Sequence, residues 1–225
     1  MSDLISLLAE TWAYLLANSA RFFELLREHL TLVFVSEALA IIVAVPLGIA
    51  ATRNDRVNSI VSGFGNVAQT VPTLAVIALA FPILGLGFLP SVVGLFAYSL
   101  LPILTNTIAG IESVSDSTVD AARGMGMTDW EILRKVRLPL ALPVIFAGIR
   151  TSVVLNVGSA YLAFFIGGGG LGVWVIGGIK LFSTTQLLAG AIPGALLAIT
   201  LDGLLGLAQR RLGTETASDR TAAAA

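Results

Sequence analysis

Residues 57–111 read VNSIVSGFGNVAQTVPTLAVIALAFPILGLGFLPSVVGLFAYSLLPILTNTIAGI, 55 consecutive positions without Asp, Glu, Lys or Arg. A chain of 225 residues folded in water has too little interior to hide such a stretch. A helix of roughly 20 apolar residues crosses a bilayer, so this run has the length for two crossings. A second run, Thr151 to Leu201, is interrupted only by Lys180 over 51 residues. With 56 % hydrophobic and 12 % charged residues and a mean hydropathy of +0.91, the solvent for most of the chain is lipid. The expected fold class is an all-α membrane protein.

Residues 57–111 divide into spans over Asn58–Ile83 and Pro90–Ile111, separated by Phe81-Pro82-Ile83-Leu84-Gly85-Leu86-Gly87, whose Pro and Gly content predicts a tight turn. Leu30–Ala51 before them, and Leu140–Ile166 and Leu187–Ala208 after them, bring the expected number of spans to five. Pro46, Pro72, Pro102, Pro143 and Pro193 place one proline in or beside each span, and each can kink its helix. These spans define a transmembrane domain over residues 28–208. Residues 1–27 precede it: Leu4, Leu7, Leu8, Trp12, Leu15 and Leu16 recur at helical spacing among polar residues, predicting an interfacial amphipathic helix, with a partial span as the alternative. No basic n-region or small-residue cleavage pattern marks a removable signal. Residues 209–225, polar and then Ala222 to Ala225, read as a frayed, disordered tail.

Placing the Arg53–Arg56 turn, residues 112–139 and the tail in the cytoplasm puts nine basic residues inside and three outside, with an external N-terminus and a cytoplasmic C-terminus. The 13 basic and 14 acidic residues and a pI of about 5.8 provide no cationic surface for nucleic acid. Cys is absent and His29 is the single histidine, so no thiolate or His-rich metal site is expected. Gly167–Gly172 is glycine-rich but lacks the Lys-Ser/Thr that follows in a phosphate loop; it reads as a bend, with movement during gating as the second reading.

Few ionisable groups fall inside the spans. Arg150 and Asp202 each sit roughly 12 to 15 Å from the cytoplasmic end at 1.5 Å per residue, close enough in depth for an interhelical ion pair. Glu37 is placed to balance a passing cation or to bond within the bundle. Gln69, Thr70, Thr73, Asn106 and Asn156 add uncharged polarity, and Tyr98, Tyr161 and Phe164 offer ring faces to a quaternary ammonium group, although such rings commonly just pack. Gly148 and Gly190–Gly194 permit close helix approach, for example at a subunit seam.

The loop from Glu112 to Pro139 is too long and too polar for a simple connector: nine of its 28 residues are charged. Ser117–Asp120 and Thr128–Glu131 each pair a hydroxyl with an acid three residues on, the pattern of a capping box, so two short helices meeting at Gly124-Met125-Gly126 are expected. Trp130, Leu133 and Val136 or Arg137 recur at helical spacing, and Ile132 and Val136 are four apart, so one face can rest on the membrane domain while another presents Glu131, Arg134 and Lys135 to water or a partner; an amphipathic loop on lipid headgroups is the alternative.

Asp120-Ala121-Ala122, three residues, Gly126, and nine residues to Val136-Arg137-Leu138-Pro139 resemble the EAA loop of binding-protein-dependent ABC importer permeases, with Asp in place of the usual Glu. Gln69–Ala75, Leu101–Thr107, Leu138–Pro143 into Ala147–Thr151, and Ile166–Gly172 extend the likeness over roughly residues 28 to 208, and it is nearest the osmoprotectant branch, which moves glycine betaine, carnitine or choline. The resemblance implies a permease without chemistry of its own, with Asp120, Ala121, Ala122, Gly126, Trp130, Leu138 and Pro139 coupling to a cytoplasmic ATPase dimer. ATP and Mg would be bound in that partner chain, and this chain would carry no cofactor. It further implies an external solute-binding protein and a second permease, identical or homologous. Pro72, Gly167, Gly168, Gly169, Gly170 and Gly172 would serve gating or packing. An amino acid permease of the same kind, a self-contained secondary transporter and a membrane scaffold are the rival readings.

Overall fold

The structure, a computed structural model, describes the backbone of residues 2–68 and 71–222, and their side chains except at 2, 55, 62, 64–68 and 212–222. All regular structure among the described residues is helical. In lipid no water is at hand for backbone N–H and C=O groups, and a helix satisfies them within its own segment. In chain order the helices are α1 (Ser2–Ala17), α2 (Ser19–Ala51), α3 (Asp55–Ala68), α4 (Thr73–Leu84), α5 (Phe88–Glu112), α6 (Asp116–Gly124), α7 (Asp129–Ile132), α8 (Leu138–Ser159), α9 (Gly172–Lys180) and α10 (Thr184–Ala222). A π-helical turn, Leu133–Arg137, joins α7 to α8, and a 3-10 segment, Ala160–Ile166, follows α8.

Among the described residues four helical segments are long and apolar enough to cross a membrane: Ser19–Ala51, Phe88–Glu112, Asp129–Ile166 and Thr184–Arg211. The expected continuous span over 58–83 is instead divided into α3 and α4. Pro72 stands at the N-cap of α4 in an extended conformation, φ −59° and ψ 134°, and a proline pushes the residue before it out of helical geometry. Its carbonyl accepts from Ala75 and Val76, so the helix restarts there. With 12 residues α4 is about 18 Å long, short of the roughly 30 Å hydrocarbon layer. Gln69 and Thr70 lie outside the described residues.

Other boundaries also shift. The N-terminal segment breaks at Asn18, whose side chain bonds back to the Tyr14 carbonyl at 2.9 Å. Residues 19–27 therefore belong to the first long helix, because no helix breaker lies between Ser19 and Pro46. The turn expected over Phe81–Gly87 narrows to Gly85–Gly87, with Gly85 at φ 76° and Gly87 at φ 106°. Where a frayed tail was expected from residue 209, α10 continues to Ala222; extending an existing helix avoids the cost of nucleating one.

The chain forms two compact units. Unit 1 comprises Met1–Leu39, Val71–Ser99 and Val153–Leu201. Its core gathers Leu32 and Val33 of α2, Ile77 of α4, Val92 and Leu95 of α5, and Val157, Ala160, Ala163 and Ile166. A second cluster in the same unit packs Tyr14, Phe22 and Leu25 on Leu171 and Trp174, with Tyr14 edge-on to Trp174 at 5.3 Å. Unit 2 comprises Ala40–Thr70, Leu100–Ser152 and Asp202–Ala225. Ile111, Ala141 and Ile145 form one of its cores, with Val45, Ile49, Leu133 and Leu138 around them; Val114, Val119, Ala122 and Ile132 form another beneath α6 and α7.

Candidate functional site

In unit 2 the loop between α5 and α8 folds as its own small structure. The N-cap of α6 is Ser115, two residues before the expected cap, and Ser115 Oγ bonds the hydroxyls of Ser117 and Thr118 at 3.2 and 2.8 Å. The Ser117–Asp120 capping box does not form, because Ser117 already lies inside the helix. The second box does: Thr128 N–H donates to Glu131 Oε2 at 3.1 Å, and Glu131 N–H donates to Thr128 Oγ1 at 3.4 Å. The Lys135 ammonium, 2.9 Å from Glu131, together with these bonds holds the Glu131 carboxyl down at about 2. Gly126 turns the chain at φ 83°, where a side chain would be strained although space is free.

Of the two apolar spacings in this loop, the one through Ile132 and Val136 turns inward. Ile132 is buried, whereas Trp130 is 62 % exposed, so Trp130 stands on the outer face with the charges. Ala122 packs into the small core and Asp120 and Ala121 face outward, so only Ala121 of the alanine pair offers close approach. Leu138 and Pro139 are half-buried in the first turn of α8, where Leu138 joins the Ile111 cluster.

The helical path from Asp129 into α8 is unbroken despite Pro139. The π turn absorbs the proline: Leu138 N–H reaches back five residues to the Leu133 carbonyl, and the helix resumes around the missing N–H. The same turn projects Arg134, Lys135 and Arg137. Between this loop and the end of α2 lies a cavity of about 600 Å³ lined by Thr52, Arg53, Arg123, Asp129, Trp130 and Arg137, among others. Arg123 meets Asp129 at 3.3 Å.

In unit 1 a buried polar tie joins α2 to α8. Asn156 Nδ2 donates to Ser36 Oγ at 2.8 Å and to Glu37 Oε2 at 3.2 Å, and Ser36 Oγ donates to the Leu32 carbonyl at 2.7 Å. All three side chains are at most 4 % exposed. One turn and more away, His29 Nε2 donates to the Val157 carbonyl at 3.1 Å, and Glu28 accepts from Gly170 N–H at 2.8 Å. Composition alone assigned no role to Glu28, His29 or Ser36. The signal was their spacing: Glu28-His29 and Ser36-Glu37 are about two turns apart, on one face of α2.

Of the residues expected along a pathway, the structure brings Glu37 and Asn156 together. Tyr161 packs on the His29 ring at 4.9 Å and its hydroxyl donates to the Gly190 carbonyl at 3.0 Å. Lys180 already covers the Phe164 ring at 4.8 Å. Thr73 stands half-buried in the first turn of α4, and Tyr98 half-buried on α5. Asn106 belongs to unit 2 and bonds its own helix at the Pro102 carbonyl, 2.8 Å, under Gly148.

Gly167–Gly172 is a bend with φ near +75° at Gly167, Gly169 and Gly170, and a Cβ on Gly172 would run into the backbone carbonyl of Tyr161. A Cβ at Gly190 or Gly194 would strike Trp174 or Tyr161 in the same way, so these glycines serve packing within the chain. Arg150 and Asp202, both in unit 2, form a two-pronged pair at 2.6 Å on each side, and Gln209 adds a bond to the Pro143 carbonyl at 3.1 Å.

Helices long and apolar enough to cross a membrane, joined by a folded polar loop, are the architecture of a multi-pass membrane protein. The chain belongs to the family of binding-protein-dependent transport system inner membrane components, which it matches over residues 44–214. It is 46 % identical over 185 residues to a glycine betaine/carnitine/choline transport system permease of Bacillus subtilis, covering 82 % of this chain and 85 % of that one. It is 43 % identical over 201 residues to an osmoprotectant import permease of Salmonella typhimurium, covering 87 % and 94 %. Among solved structures, an inward-facing methionine ABC transporter shares the fold with a TM-score of 0.75 at 22 % identity, covering 85 % of this chain and 95 % of that one.

Proposed function

We propose that this chain is the permease subunit of an ATP-driven importer that moves quaternary amines such as glycine betaine, choline or carnitine inward. The supporting observation is the 46 % identity to a permease named for those three solutes, over more than four fifths of both chains. Two such chains, or one with a homologous permease, enclose the route, an external binding protein delivers the solute, and ATP and Mg are used by a pair of separate cytoplasmic ATPase subunits. The N-terminus lies outside and the C-terminus in the cytoplasm, in keeping with nine basic residues inside against three outside.

α6 and α7 are the coupling element. Their outer face presents Asp120, Ala121 and Trp130 to the ATPase, and the unbroken helical path from Asp129 into α8 carries the movement of the loop into the membrane. Glu37 and Asn156 hold α2 to α8; Thr73 and Tyr98 remain for weak contacts with a cation that must leave again. Gln69 is assigned to the pathway by sequence alone. Pro72 breaks the helix beside it, and the glycines of the Gly167–Gly172 bend permit backbone conformations that other residues rarely adopt, as gating or packing would require.

Reconstitution tests this reading. Permease, ATPase and binding protein together should hydrolyse ATP faster when a quaternary amine is added, and omission of the binding protein should abolish the stimulation. Stimulation by an amino acid alone would select the rival substrate class, and uptake by the permease without ATPase would select a secondary transporter.

A further inference from the structure

We propose that the pocket between the end of α2 and the coupling loop is a receptor for one acidic side chain of the ATPase, a proposal that rests on docking of α6 and α7 on that partner. The pocket is assembled from segments far apart in sequence, Thr52-Arg53 on one side and residues 119–137 on the other. It holds three arginines against one carboxylate, and that carboxylate, Asp129, faces Arg123. Arg53 and Arg137 have no ion pair among the described residues. Arg137 Nε is buried without a hydrogen-bond partner, a costly state that an arriving acceptor relieves.

The occupant follows from this chemistry. A guanidinium presents a planar fork of donors that matches a carboxylate, and its delocalised charge tolerates an interface from which water is excluded. Ile132 and Leu133 give the cavity an apolar wall for the methylene stem of Asp or Glu, and Trp130 stands exposed beside it. Trp and Arg are the residue types that dominate binding energy at protein interfaces. The pocket thus adds a charged anchor beside the outward face of the loop.

The test uses the full-length permease in nanodiscs of zwitterionic lipid and the purified ATPase, with affinity measured as a function of salt. The double variant Arg53→Glu/Arg137→Glu should weaken binding by about tenfold or more and flatten the salt dependence. An Asp→Arg or Glu→Arg change at the matching position of the ATPase should restore it. Arg53→Gln, at an exposed turn where folding is not at stake, should shift both quantities in the same direction. A permease whose residues 116–132 are replaced by a flexible linker separates the two layers of the proposal. If that permease binds the ATPase undiminished, the docking reading itself fails. If it does not bind, but Arg53→Gln/Arg137→Gln retains wild-type affinity and salt dependence, docking stands and the acid receptor is overturned. A loss seen only in nanodiscs containing anionic lipid would assign the pocket to a headgroup and would equally overturn it.

Discussion

Ser36, Glu37 and Asn156 are closed off within unit 1, each at most 4 % exposed, whereas Arg53, Trp130 and Arg134 in unit 2 stand open. Both regions are polar islands in an apolar chain, but they use polarity differently. At the α2–α8 tie Asn156 of α8 donates to Ser36 and Glu37 of α2, while Ser36 donates within its own helix, and the crossing bonds fix helix position where lipid offers no competing partner. In the loop the internal bonds only shape the two short helices, and guanidinium and indole groups are left outward.

The largest effect expected from breaking this contrast is at the loop: replacing residues 116–132 with a flexible linker should abolish ATP-coupled uptake while leaving the permease inserted, as measured by solute uptake into proteoliposomes. Next comes the packed side of unit 1. Gly172→Ala forces a methyl group into the Tyr161 backbone and should lower stability by about 1–3 kcal/mol, whereas Gly124→Ala, with open space around it, should not; thermal unfolding in detergent compares them. Asn156→Leu removes the donor shared by Ser36 and Glu37 and should cost about 1–3 kcal/mol in the same assay.

Arg150 and Asp202 sharpen the comparison inside unit 2. Each single change to Leu should reduce insertion and thermal stability, and the double variant should recover part of the loss; no recovery would argue against direct pairing. The smallest effect belongs to Glu131. Its carboxyl is held at about 2 against an ordinary 4.5, so the capping box is at full strength above pH 4.5 and is lost as pH falls toward 2. Glu131→Gln should speed hydrogen exchange of residues 128–132 slightly at pH 7, and the difference from wild type should vanish as pH approaches 2.

Much of this was legible from the chain. Uncharged runs point to an all-helical membrane fold, and of the two capping-box patterns Thr128–Glu131 forms, whereas Ser117–Asp120 does not because the helix starts two residues earlier. What escaped depends on partners far away in sequence or on backbone detail. The direction of Trp130 is set by Ile132 and Val119 filling the small core first, and the π turn before Pro139 leaves no mark in hydrophobic periodicity. The division at Pro72 was read as a kink because a proline inside a helix and one that restarts a helix look alike in sequence. His29 drew attention only as a lone histidine; its bond to Val157 spans 128 residues.

Because the chain has no cysteine, Trp130→Cys provides a single reporter on the outer face of the loop. Labelling with a membrane-impermeant maleimide tests the coupling role most directly. The account predicts no reaction in intact cells, rapid reaction in inverted vesicles stripped of ATPase, and protection when purified ATPase is added back. Labelling from outside the cell, or labelling in vesicles that the ATPase leaves unchanged, would contradict it.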